Sequence, residues 1–176
     1  MENKTKTSSP IMGGQRGASY KNSRGWRNNN PLNIRRTKEN WQGLASKQTD
    51  PQFCQFLTMS FGYRAAVKCM MSYYRYFAQK GDNWQIDTIL NRWAPPSENK
   101  TQAYIDHVAD LMGREAGDYR LADPHTNPGR LQLATMMAAM TCIECGCPPS
   151  AVPVASLNTG FVLANLGDPH LTSDWH

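Results

Sequence analysis

Two consecutive prolines, Pro95 and Pro96, constrain this chain more than any other feature. Each fixes its own φ and removes a backbone donor, so no helix or inner strand can run through them. The helical pattern ending at Arg92-Trp93 must therefore stop, and a new helix must start beyond the turn. Ser97 or Asn99 can cap it, and Asn99 with Gln102 has the spacing of a loose capping box. That placement puts Glu98 at a helix N-terminus beside Trp93 and Tyr104, where a carboxylate is electrostatically favoured.

The rest of the chain divides by periodicity. Residues 1–23 are rich in Lys, Thr, Ser, Gly and Asn and show no apolar period, which reads as a flexible basic arm. In Arg24-Gly25-Trp26-Arg27-Asn28-Asn29-Asn30-Pro31-Leu32-Asn33-Ile34-Arg35, the Asn run before a proline favours side-chain-bonded turns. Leu32 and Ile34 alternate with Asn33, and with Trp41 and Phe53–Phe56 they suggest a small irregular β flap. From Ser60 the period changes. Phe61, Ala65, Ala66, Cys69, Met70, Tyr73, Tyr74 and Phe77 predict a helix over 59–79, which Gly81 stops. Further helices are expected over 84–93, 99–112, 127–145 and 151–161. In the fourth of these five, Asn127 is the expected N-cap, with Leu131, Ala134, Met137, Ala138 and Ile143 facing inward. Gly146 and Pro148-Pro149 would end it. The expectation is a mainly α (α+β) domain over 24–168, followed by a short tail over 169–176.

Charge and cysteine usage narrow the function classes. The net charge is +5, but residues 1–47 hold ten basic residues against two acidic ones. Such an excess suits an anionic polymer, whether cell-wall glycan, nucleic acid or a membrane surface, or simply a solvated arm. Regular aromatic interleaving is missing from the basic stretch, so nucleic acid is the weaker partner. No stretch has the length and apolarity of a membrane helix, and none near Met1 has the apolar core of a signal peptide. The expectation is synthesis in the cytoplasm and action in the periplasm or cell wall after delivery by lysis, a virion or a secretion system. Cys142-Ile143-Glu144-Cys145 has the CxxC spacing of a zinc half-site, but no second half-site accompanies it. The five cysteines read as core thiols, with no metal and no cofactor.

Three carboxylates merit weighing as acids: Glu39, Glu98 and Glu144. Glu144 ends an apolar, thiol- and Met-rich helix. A carboxylate desolvated there holds its proton to higher pH, as a general acid must. The competing account is a surface Glu on a polar stripe.

The block 24–35, Phe53-x-x-Phe56, Gly62-x-Arg64-Ala65, Arg92-Trp-Ala-Pro-Pro-Ser-Glu-Asn99 and Thr101-x-x-Tyr104 resemble a phage and mobile-element family. Its members are labelled structural protein P5 or virion protein. More distantly, Ser97–Ile105 resembles the Glu-Thr-x-x-Tyr-Val helix start of lytic transglycosylases, with two residues inserted. Asn30-Pro31-Leu32-Asn33-Ile34 resembles a segment of related glucosaminidases. The end Glu144-Cys-Gly146-Cys-Pro148 is similar to the Glu-Ser-Gly-x-x-Pro ending of their catalytic helix.

That second resemblance implies a lysozyme-like domain in circularly permuted order, its catalytic helix supplied last. It further implies cleavage of peptidoglycan glycan strands by one glutamate, Glu144 or else Glu98. Asn29, Asn30, Asn33, Trp93 and Tyr104 would bind or brace the sugar, although Trp93 equally suits core packing. The alternative is a non-enzymatic virion or secretion-associated protein that binds cell-wall glycan. Candidate partners beyond the glycan are other virion or secretion-apparatus proteins or an immunity protein.

Overall fold

The computed structural model describes residues 19–176. Residues 1–18 of the arm expected over 1–23 lie outside the described residues, and its last five residues are described. A 3-10 turn spans Tyr20–Asn22, Ser23 caps the first helix, and Tyr20 meets Trp26 edge-on at 4.9 Å. Six α-helices follow in order: α1 (Arg24–Arg27), α2 (Met59–Lys80), α3 (Ile86–Trp93), α4 (Thr101–Leu111), α5 (Asn127–Cys145) and α6 (Val154–Leu163). The architecture is mainly helical.

Helix α5 is the centre of the domain. Leu133, Ala134 and the unbroken run Met136–Thr141 are all buried, so this helix is enclosed on nearly every side and not along one stripe. The inward face expected from Leu131 and Ile143 is therefore too narrow: Leu131 is 42% exposed, while Met136, Ala139 and Met140 join the core. Interspersing Ala among Met lets neighbours approach closely and still fills irregular gaps. The cap is Thr126, whose Oγ1 accepts from Gly129 N–H at 3.2 Å, one residue earlier than expected. Gly146 ends the helix in the left-handed conformation at φ 64°, as Gly81 ends α2 at φ 74°.

Helix α2 packs along α6, and α4 lies between α3 and α5. In α4 the buried face runs through Thr101, Ile105, Val108 and Ala109, a rotation away from the Tyr104–Leu111 stripe. Neither Ser97 nor Asn99 caps α4. The Pro-Pro corner is closed instead by the buried Thr101 hydroxyl, which donates to the Ala94 carbonyl. The last residues also pack: Leu171 is buried, and its backbone N–H and C=O both bond the Asn158 amide.

No strand forms among the described residues. Residues 28–57 are a loop whose β pairing consists of the isolated antiparallel bridges Arg35–Phe53 and Leu44–Phe56. Side chains take the backbone groups that a ladder would have used. Gln55 Oε1 accepts from Asp50 N–H at 3.1 Å, and Gln48 accepts from Gln55 N–H at 2.8 Å. Asp50 is the hub: its carboxylate accepts from Gln52 N–H, Phe53 N–H and Asn28 Nδ2 at 2.9–3.0 Å, beside Arg24. The Gln52 N–H, then the Asn28 amide, hold its pKa down to about 2. A carboxyl depressed in the fold stabilises above its unfolded pKa. That contribution is lost as pH falls from 3.8 through about 2. Melting curves should show an acid-side loss over that window which Asp50→Asn lacks. Identical acid limbs in the two proteins would remove Asp50 from its place as hub.

Candidate functional site

Local geometry in the Asn-rich loop decides which amides are free to act. Asn30 is 0% exposed; its Oδ1 accepts from Ile34 N–H at 2.8 Å and its Nδ2 donates to Ile34 and Cys54 carbonyls. Asn29, at φ 49°, donates to the carbonyls of Phe56 and Leu57. Both amides hold the loop together, and Asn30, fully enclosed with oxygen and nitrogen both engaged, has no atom left for a sugar. A run of Asn before Pro signals turns as readily as binding, and here turns account for two of the three candidates.

Asn33 differs. Its backbone is left-handed at φ 51°, a conformation uncommon for a side-chain-bearing residue and tolerated by Asn. Held so, it donates from Nδ2 to Glu144 Oε2 at 2.8 Å, across 111 residues of chain. Close packing of α1 against the end of α5 makes this reach possible. A methyl on Gly25 would come within 2.9 Å of Cys145 Sγ and 3.2 Å of Asn33 Oδ1. The Cys145 thiol also donates to the Pro31 carbonyl at 3.4 Å.

From the other side, Tyr104 on α4 donates its hydroxyl to Glu144 Oε1 at 2.9 Å. Trp93, at the end of α3, lies near enough to favour the anion of the same carboxyl more weakly. Three elements thus converge on one half-buried glutamate in the last turn of α5. Desolvation is the largest influence on Glu144 and raises its pKa, outweighing Asn33, Tyr104 and Trp93, which favour the anion. The C-terminal end of the helix dipole pushes in the same direction. Burial and the neighbouring Glu144 charge keep the Tyr104 hydroxyl protonated well past its ordinary range, so it stays a donor.

Glu98 is not part of this cluster. Its side chain is 62% exposed, and its partner is Arg35 Nη2 at 3.7 Å. Trp93 and Tyr104, expected to flank Glu98, converge on Glu144 instead. The turn closed by Thr101 and Ala94 leaves Glu98 on the outside. Glu98→Gln should therefore change stability by less than about 0.5 kcal/mol, as exposed ion pairs do. Thermal melts check this, and a large loss would place Glu98 in a structural role that its exposure does not suggest.

Beside the glutamate lies a pocket of about 530 Å³, lined by Trp93 and by Asn33, which also bonds Glu144. Glu144 itself lies behind them and not in the lining. The opposite walls bring Arg35, Glu39, Trp41, Lys68 and Tyr73. Of these, Glu39 stood out in the sequence as a carboxylate. Tyr73 fell on the inward stripe of α2 and read as core, Trp41 read as part of the small β flap, and Lys68 carried no signal beyond its residue type. Among the described residues, no group of three or more His, Cys, Asp or Glu is placed to hold a metal ion. Nor is any helix there long and apolar enough to cross a membrane.

No protein-family model matches the chain. A curated relative, Protein P5 of Pseudoalteromonas phage PM2, is 39% identical over 94 residues. The matched stretch covers 52% of this chain and 56% of that relative's length.

Proposed function

We propose that this chain is a phage virion protein whose helical domain works on cell-wall glycan, with Glu144 as a single general acid. Similarity to Protein P5 of phage PM2 supports the virion part. The observation that carries the chemistry is a carboxyl with a raised pKa, gripped by Asn33 and Tyr104 at the back of a large pocket. The domain is read as lysozyme-like in permuted order: the loop after α1 packs on the end of α5, so the last long helix supplies the acid to the first loop.

In this reading protonated Glu144 gives its proton to the glycosidic oxygen as the bond from that oxygen to the sugar C1 breaks. The resulting carboxylate then takes a proton from the oxygen that attacks C1, belonging either to water or to the sugar's own 6-hydroxyl. Asn33 and Trp93 line the pocket in front of the carboxyl, so direct transfer requires these side chains to move aside as the strand binds.

Purified protein incubated with sacculi, followed by mass spectrometry of the soluble products, tests the proposal. Release of glycan fragments is expected, and the two attacking groups give products that differ by one water. A second reading has its own support, because Glu144 sits behind the pocket lining: the domain binds glycan strands without cutting them. Sacculi that bind the protein and remain intact would establish that reading in place of the first.

A further inference from the structure

The pocket beside Glu144 has walls of two kinds. Trp41, Tyr73 and Trp93 present aromatic surface, with Tyr73 and Trp93 edge-on at 6.3 Å and Arg92 stacked over Tyr73 at 4.9 Å. Between them stand two cations, Arg35 and Lys68, against a single carboxylate, Glu39. Lys68 projects from the middle of α2, is half-buried, and makes no ion pair among the described residues. Arg35 reaches Glu98 only at 3.7 Å, with both side chains largely exposed. The Trp41 indole N–H is buried and has no acceptor. A neutral ring seated here would cover Lys68 without pairing it, and covering an unpaired cation is costly.

We propose that this pocket binds an acidic sugar unit, one that presents a carboxylate on its ether or peptide substituent. Lys68 and Arg35 take the carboxylate, the aromatic walls take the ring, and the Trp41 N–H takes a sugar or amide oxygen. This rests on the reading that the domain engages cell-wall glycan, and it names which unit of the strand lies next to the acid. Glu39, exposed at the rim, is left to accept from a hydroxyl or amide N–H and disfavours a second anion.

The test uses the full chain carrying Glu144→Gln, so that no probe is consumed. Calorimetry at low salt compares N-acetylmuramic acid, muramyl dipeptide and tri-N-acetylchitotriose. The better acidic probe should bind at least about tenfold more tightly than the neutral trisaccharide. That preference should shrink in about 0.5 M salt, where exposed charges are screened. A preference for N-acetylmuramic acid assigns the ether carboxylate, and one for the dipeptide assigns the peptide carboxylate. Lys68→Met keeps the aliphatic stem and should bring the ratio close to one. Arg35→Gln, at an exposed position, should reduce the ratio and supplies the result if the Lys68 variant does not fold. Equal binding of all probes, no binding of any, or a preference that survives both substitutions would overturn the proposal. Cleavage fails separately: a protein that prefers acidic sugars yet leaves sacculi intact keeps this pocket and loses the hydrolytic role.

Discussion

Glu144→Gln should reduce release of glycan fragments from sacculi by about a thousandfold, in line with removal of a positioned general acid. Sacculus binding should persist. The amide keeps the volume of the carboxyl: its oxygen can accept from Asn33 while its NH2 donates to the Tyr104 hydroxyl oxygen, groups at 2.8 and 2.9 Å in the parent, but it has no acidic proton to transfer. Two further readouts follow from the raised pKa of Glu144. Cleavage should persist to higher pH than an ordinary glutamic acid allows, then fall as pH passes the folded pKa. Stability follows with a definite sign. A carboxyl raised in the fold binds its proton more tightly when folded, so its contribution is complete below the unfolded value of 4.5 and declines as pH climbs through the folded pKa. The Gln variant lacks that decline and should match or exceed the parent in stability near neutral pH. Full cleavage by Glu144→Gln would end the single-acid reading outright.

Gly62→Ala should lower stability by about 3 kcal/mol, the upper part of the range for overpacking a tight contact. Gly62 lies in the first turn and a half of α2, where that helix meets the Asn-rich loop. A methyl there would overlap the Asn29 carbonyl and come within 2.9 Å of Pro31 Cδ. The obstructing group is backbone, pinned by Asn29 and Asn30, so it cannot rotate aside as a flexible side chain would. For a domain of this size the melting temperature should drop by about 6–12 °C. Because the same loop carries Asn33, any folded Gly62→Ala protein should also displace the Asn33–Glu144 hydrogen bond. The Glu144 pKa, followed by carboxyl NMR, should then rise further, since one donor favouring the anion is lost. A variant melting within about 2 °C of the parent would mean that the loop can lift from α2 without cost.

Local chemistry wrote the punctuation of this fold into the sequence. Gly81 and Gly146 end helices because a left-handed residue costs glycine nothing, and Pro95-Pro96 separate α3 from α4 because neither can donate or adopt another φ. These effects act within a few residues, so periodicity and turn chemistry are enough to find them. The same locality made Glu144 a candidate: an apolar helix end is visible in one dimension. The positions that went astray are those decided by packing. Asn29, Asn30 and Asn33 are one residue type in one motif, yet only Asn33 points to the carboxyl. Its direction depends on how the loop crosses α2 at Gly62 and how α1 meets the end of α5 at Gly25. Glu98 and Glu144 were rivals in sequence and differ in the fold because Thr101 bonds back to Ala94, leaving Glu98 in solvent. Helix α5 showed one apolar stripe but is enclosed nearly all round, since its Ala and Met residues suit several neighbours at once. The pocket brings residues 33–41 together with 68–73 and 93, a neighbourhood that no spacing rule contains. Long-range register is set by the joint packing of α2, α4, α5 and the loop, so only the tertiary structure could decide it.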